Sequence, residues 1–177
     1  MKKAIRIGLL MVSFLLVYFL QANFFSWFTI AGVKPNLFII FILFISLFAG
    51  MKVGIPFGVG IGLFLDMVIG KKIGPSAIML AIIGMIGGYF DKNFSKESRI
   101  TIMLMVMGST GVYEIGNYLL QTIELSIHVE PLAFLITLLI EVIYNTILTI
   151  ILYPIIQKLG YQIEDVFKGQ KILTRYF

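Results

Sequence analysis

Three carboxylates stand inside long apolar stretches of this sequence: Asp66, Glu114 and Glu141. An ionisable group surrounded by hydrocarbon is costly unless it is paired, hydrated or neutralised, so each of these acids requires a reason to be there. Glu114 is followed three positions on by Asn117 and Glu141 four positions on by Asn145, spacings that put each acid and its amide on one helix face. Gln21, Asn23 and Gln121 are further polar groups in apolar surroundings. Such a set can form a polar network or a water-filled pocket that captures a small molecule. It can equally supply interhelical hydrogen bonds that fix packing, with Asp66 reaching Lys71 or Lys72. Other chemistry is sparse. His128, the sole histidine, has two glutamates nearby but no second imidazole, and is expected to be a solvated loop residue rather than a metal ligand. The absence of cysteine excludes disulfides, thiolate metal sites and thiol nucleophiles. No phosphate-binding loop, zinc-protease helix pair or hydrolase elbow is present, so no catalytic, cofactor or metal site is expected.

The elements that must position these groups follow from composition. Of 177 residues, 59% are apolar and 13% charged, and the mean hydropathy is +1.01. Soluble domains average about 45–50% apolar and about 25% charged residues, so this surplus belongs in a bilayer. An all-α integral membrane protein with a single membrane domain over residues 1–177 is expected. The opening Met1-Lys2-Lys3-Ala4-Ile5-Arg6 and the apolar run after it resemble a secretory signal. Leu20 stands where a cleavage site after Ala22 needs a small residue, so the segment reads as an uncleaved first span. Six spans are expected, at about 7–28, 37–51, 53–70, 74–90, 100–121 and 132–156. Residues 37–70 as one helix would run about 50 Å against a hydrocarbon core of about 30 Å. The break falls at Gly50-Met51-Lys52-Val53-Gly54-Ile55-Pro56.

Charge fixes the expected orientation. With both termini in the cytoplasm, 11 of the 14 basic residues fall inside, leaving Lys34, Lys71 and Lys72 outside. The net charge of +5 is spread over loops and ends, which speaks for orientation in the lipid bilayer and against a nucleic-acid partner.

Along the third span Gly54, Gly58, Gly62, Asp66, Gly70 and Gly74 recur at every fourth position, a ridge where a neighbouring backbone can approach closely. This predicts that the third helix is central, with Gly84 and Gly88 of the fourth as its mating surface. The loop after the fifth span alternates apolar and polar residues over 123–130, the period of a strand. Ile123, Leu125, Ile127, His128 and Val129 are therefore candidate partner-binding residues. The tail, 157–177, mixes basic and large apolar side chains, as in a segment resting on an anionic leaflet or a cytosolic partner.

Lys34-Pro35-Asn36-Leu37 opening an apolar helix, Gly50 at its end, Gly58, the Gly62-Leu63-Phe64-Leu65-Asp66-Met67-Val68-Ile69-Gly70 segment, Gly74 and Ala77 form a pattern that resembles the bacterial rod shape-determining MreD family. The resemblance extends to about Gly160. It implies a non-enzymatic subunit of the wall-elongation machinery in the bacterial cytoplasmic (inner) membrane. The expected partners are an extracytoplasmic MreC-like protein, the peptidoglycan synthases and, indirectly, MreB-like filaments. The architecture is similar to that of substrate-binding subunits of energy-coupling-factor vitamin transporters, which is the alternative function. Those subunits carry repeated small-residue contacts on their first helix, and only Ala4-x-x-x-Gly8 is found here.

Overall fold

Glycine and proline punctuate the chain into a succession of helices. The computed structural model describes residues 2–69, 73–125 and 130–168. Helix α1 (Lys2–Phe19) runs into a π-helical turn (Leu20–Phe24) and a final helical turn, α2 (Phe25–Trp27). Then come α3 (Leu37–Ala49), α4 (Met51–Ile69), α5 (Pro75–Asn93), α6 (Arg99–Leu125) and α7 (Pro131–Phe167).

The breaks have local causes. Gly50, at φ +87°, separates α3 from α4; its N–H still donates to Ser46 O at 2.9 Å, and its own carbonyl accepts from Val53 and Gly54. That positive φ is open to glycine and strained for most other residues. Gly74, at φ +129°, plays the same part before α5, where Pro75 occupies a first-turn position that needs no N–H. In the loop before α3, Ile30 and Val33 exchange backbone hydrogen bonds of 2.8 and 2.9 Å around Ala31 and Gly32, both with positive φ.

Among the described residues, three segments are long and apolar enough to cross a membrane: Gly8–Trp27, Met51–Val68 and Pro131–Asp165. The second expected span is shorter than anticipated: the 13 residues of α3 rise about 20 Å. The sixth is longer. Residues expected to begin a separate tail at 157 continue α7 through Phe167, past the internal Pro154.

Helix α3, not α4, lies at the centre. Twelve of its 13 residues are buried, and it touches α1, α4, α5, α6 and α7. In water an all-apolar helix would announce its burial, but in lipid every helix is apolar on all sides. The small-residue ridge on α4 therefore marks a close seam with one neighbour rather than the bundle axis. That seam, with α5, is the most extensive in the molecule. A Cβ at Gly58 would strike the Leu80 carbonyl, one at Gly62 the Ala77 backbone, and one at Gly84 would come 2.7 Å from the Gly54 oxygen. Gly87 and Gly88 face α3 and Met51 in the same manner. Ser46, the sole polar residue of α3, is fully buried at this junction and donates to the Gly84 carbonyl.

The exterior is apolar: Leu9, Val12, Leu16 and Phe19 on α1 and Leu139, Ile143 and Ile151 on α7 are all exposed. Hydroxyls along the helices bond their own backbone four residues earlier, as Ser13 does to Leu9, Ser26 to Ala22, Thr137 to Ala133 and Thr149 to Asn145. That is how a polar side chain is satisfied where no water is available.

Candidate functional site

The polar residues converge at the bundle end where α3 and α5 begin, about three turns into α7. Asp66, near the end of α4, turns its carboxylate onto the start of α5. Its Oδ2 accepts from Gly74 N at 2.7 Å and Ala77 N at 3.4 Å, and its Oδ1 from Ser76 N at 3.2 Å. These N–H groups are among the four that every helix leaves without internal partners, and the positive end of the α5 dipole favours the negative charge. Lys71 and Lys72, the alternative partners expected for Asp66, lie outside the described residues, as does Gly70.

Ser76 links this cap to the next helix. Tyr113 of α6 is buried near Ser76, Asn36 at the entrance to α3, and Asn117 one turn on. Asn36, Glu141 of α7 and Glu114 of α6 lie near one another. One turn along α7, Asn145 is fully buried and bridges two helices: its Oδ1 accepts from Asn36 N at 2.8 Å and its Nδ2 donates to Thr110 Oγ1 at 3.1 Å. Gln21, turned inward by the π-helical segment, donates to Pro35 O at 2.8 Å and accepts from Leu37 N at 3.0 Å. A single inserted residue of this kind re-aims a side chain without ending the helix.

Asp66, Glu114, Asn117, Glu141, Asn145 and Gln21 thus belong to one layer joining all the long helices. Asn23 does not; it is exposed and bonds its own helix at Phe19 O. Asn36, Thr110, Tyr113 and Ser76 complete the layer and had not been singled out. Asn36 carried a signal in the Lys34-Pro35-Asn36 opening of α3, whereas Thr110 and Tyr113 look like ordinary α6 residues until α7 is packed beside them.

Beyond this layer both α6 and α7 continue. From Tyr113 to Leu125, and from Glu141 back to Pro131, α6 and α7 run on by about 15 Å or more. Leu132, Leu135, Ile136 and Leu139 are exposed on this projection, and Tyr118 stacks on Phe134 with ring centroids 4.3 Å apart. The alternating stretch expected as a strand is helical as far as Leu125. In apolar surroundings a lone strand leaves its backbone groups unsatisfied, whereas a helix satisfies them within itself. The backbone of Ile123 and Leu125 therefore belongs to α6, while Ile127, His128 and Val129 lie outside the described residues.

The opposite end carries a cluster that charge counting alone did not single out. Lys96 Nζ lies 2.6 Å from Asp91 Oδ1 and 2.8 Å from Glu164 Oε1; Lys168 Nζ lies 2.6 Å from Asp91 Oδ2 and 3.5 Å from Glu164 Oε1. Burial works against the Lys96 charge, but the hydrogen bonds and charges of Asp91 and Glu164 prevail and raise its pKa. Residues 157–168, the first part of the tail expected to rest on an anionic leaflet or a cytosolic partner, are tied to the bundle through Glu164 and Lys168. Gly160 helps, lying so close to Phe48 that a Cβ there would strike its ring.

A bundle of this kind, apolar outside with its buried polar groups bonded within and between helices, is that of a helical membrane protein. The chain belongs to the MreD family: the family model described as rod shape-determining protein MreD matches residues 2–163. Membership assigns it to the bacterial cell-shape system that includes MreC. No curated protein and no solved structure matches the chain.

Proposed function

We propose that this protein is a non-enzymatic scaffold of the rod-shape wall-elongation complex in the bacterial cytoplasmic membrane. It crosses the bilayer six times as one membrane domain with both termini inside, holding an MreC-like protein beside the peptidoglycan synthases and, through them, MreB-like filaments. The match to the family over residues 2–163 carries this reading. The filled centre supports it, since α3 occupies the place where a nutrient-binding subunit would keep a cavity. The basic residues supply the orientation argument, and in that orientation the polar layer and the α6–α7 projection face outward. The projection exposes Leu132, Ile136 and Leu139 on the side where an extracytoplasmic partner would meet it.

Affinity capture of the tagged full-length protein from membranes tests the proposal. Recovery of the MreC-like protein and a wall synthase is expected, and their recovery should fall when Leu132 and Ile136 are changed together to serine. Recovery of energy-coupling ATPases without either partner overturns it.

A further inference from the structure

Helix α7 is longer than a bilayer requires, and its excess is tied down by charge. Its 37 residues rise about 56 Å against a hydrocarbon core of about 30 Å. The last turns lie as a strap across the end of the bundle, meeting it through Gly160, Ile163, Glu164, Phe167 and Lys168, a set spaced to share one helix face. Gly160 sits on the buried Phe48 ring, and Ile163 and Phe167 pack against Leu10, Ile45 and Ala49. Glu164 and Lys168 close a ring of alternating charge with Asp91 at the end of α5 and Lys96 in the loop after it. Around the ring the distances are 2.6 Å from Lys96 to Asp91, 2.6 Å from Asp91 to Lys168, 3.5 Å from Lys168 to Glu164 and 2.8 Å from Glu164 to Lys96. Solvent reaches all four side chains, which are 12–23% exposed.

The helix is weakest just before this strap. Tyr153 and Gln157 hold it to the loop after α5, the Tyr153 hydroxyl donating to Glu97 O at 2.9 Å and Gln157 Nε2 to Lys96 O at 3.3 Å. Between and beyond them, Pro154 has no N–H to offer the carbonyl four residues earlier and Gly160 is a poor helix former, so bending over 154–160 breaks the fewest backbone bonds. Ion pairs in contact with solvent are individually weak and are screened by salt. The seam between α4 and α5, made by glycines against backbone, has no such sensitivity. We propose that residues 160–168 are an ionic-strength-sensitive strap, which swings off the bundle by bending over 154–160 when the charge ring is screened and bares Phe48 at the end of the central helix α3. The four groups are shared by three chain segments, so weakening one pair loosens the rest and the strap leaves as a unit. The strap goes beyond the scaffold reading and does not depend on it. Only the assignment of the sensed solution to the cytoplasm rests on the proposed orientation, which cysteine labelling tests separately.

The test uses the full-length protein in nanodiscs of phosphatidylethanolamine and phosphatidylglycerol. The chain lacks cysteine, so Lys92→Cys and Gln162→Cys, at exposed positions outside the ring, carry a pair of spin labels whose separation is read by pulsed electron–electron double resonance. One short separation should dominate in about 0.05 M potassium chloride, and the share of a longer one should grow about fivefold in about 1 M. Glu164→Gln should show the longer separation already in low salt and lose most of the response. Glu97→Gln, outside the ring, should respond as the labelled protein does. A separation that is the same at both salt concentrations, or a salt response undiminished by Glu164→Gln, overturns the proposal.

Discussion

The carboxylate of Asp66 caps the helix that follows its own, accepting the Gly74 N–H at 2.7 Å and the Ser76 N–H at 3.2 Å. One side chain thereby fixes the angle at which α5 returns along α4, the pairing in which Gly58 and Gly62 touch the backbone of α5. The link runs from an acid at one end of α4 to the register of its whole glycine face.

Replacing Asp66 by alanine should therefore destabilise the protein by about 1–2 kcal/mol, the loss of a capping group together with exposed N–H dipoles in apolar surroundings. Asp66→Asn, which keeps one acceptor oxygen, should lose about half as much. Unfolding of the purified variants in mixed micelles measures both, and equal effects for the two substitutions would argue against the cap.

The glycines of α4 should divide sharply. Gly62→Val brings a side chain into the Ala77 backbone and should abolish folding or accumulation in the membrane. Gly60→Ala meets nothing within 4 Å and should be neutral or stabilising by about 0.5–1 kcal/mol through helix propensity. Expression level and thermal midpoint report the contrast.

Asn145 and Thr110 should behave as a coupled pair. Removing the Asn145 amide also deprives Asn36 N of its acceptor, so Asn145→Ala should cost more than Thr110→Ala. A double-mutant cycle should give a coupling of about 0.6 kcal/mol, the average for interhelical hydrogen bonds in a membrane. A coupling of zero would show that the 3.1 Å contact contributes nothing.

At the other end, Lys96→Gln should release the last turns of α7. The group's pKa is raised in the folded protein. Its contribution to stability is therefore complete below the ordinary lysine value and is lost only as pH climbs through the higher folded value. Hydrogen-exchange protection over residues 157–167, taken relative to the intrinsic rate at each pH, should fall several-fold in Lys96→Gln at neutral pH, and in the unmodified protein only in strongly alkaline solution.

The chain lacks cysteine, which makes the proposed orientation directly measurable. A membrane-impermeant maleimide should label Glu130→Cys in intact cells, whereas Ser95→Cys should react only after lysis. The reverse pattern would invert the assignment of the polar layer to the outer side.

The sequence by itself determined the solvent and the punctuation. An apolar fraction of 59% has no place but a bilayer, and Gly50, Gly74, Pro75 and Pro131 mark helix boundaries, although Pro56 and Pro154 are carried inside helices. It also marked the acids, because an isolated carboxylate in an apolar run is conspicuous before anything is folded. Tertiary structure decided which surfaces meet. The glycine ridge on α4 indicated a close approach, and Gly84 and Gly88 pointed to α5 as its partner, but the pattern could not say that the central helix is α3, since apolar faces in lipid look alike. Asn36 and Asn145, 109 positions apart, and Asp66 against the α5 terminus are contacts made by the packing of helices rather than by local sequence pattern. The alternation over 123–130 misled as far as Leu125, where the chain is helical: where water is scarce the backbone must satisfy itself, and a helix does so without a partner.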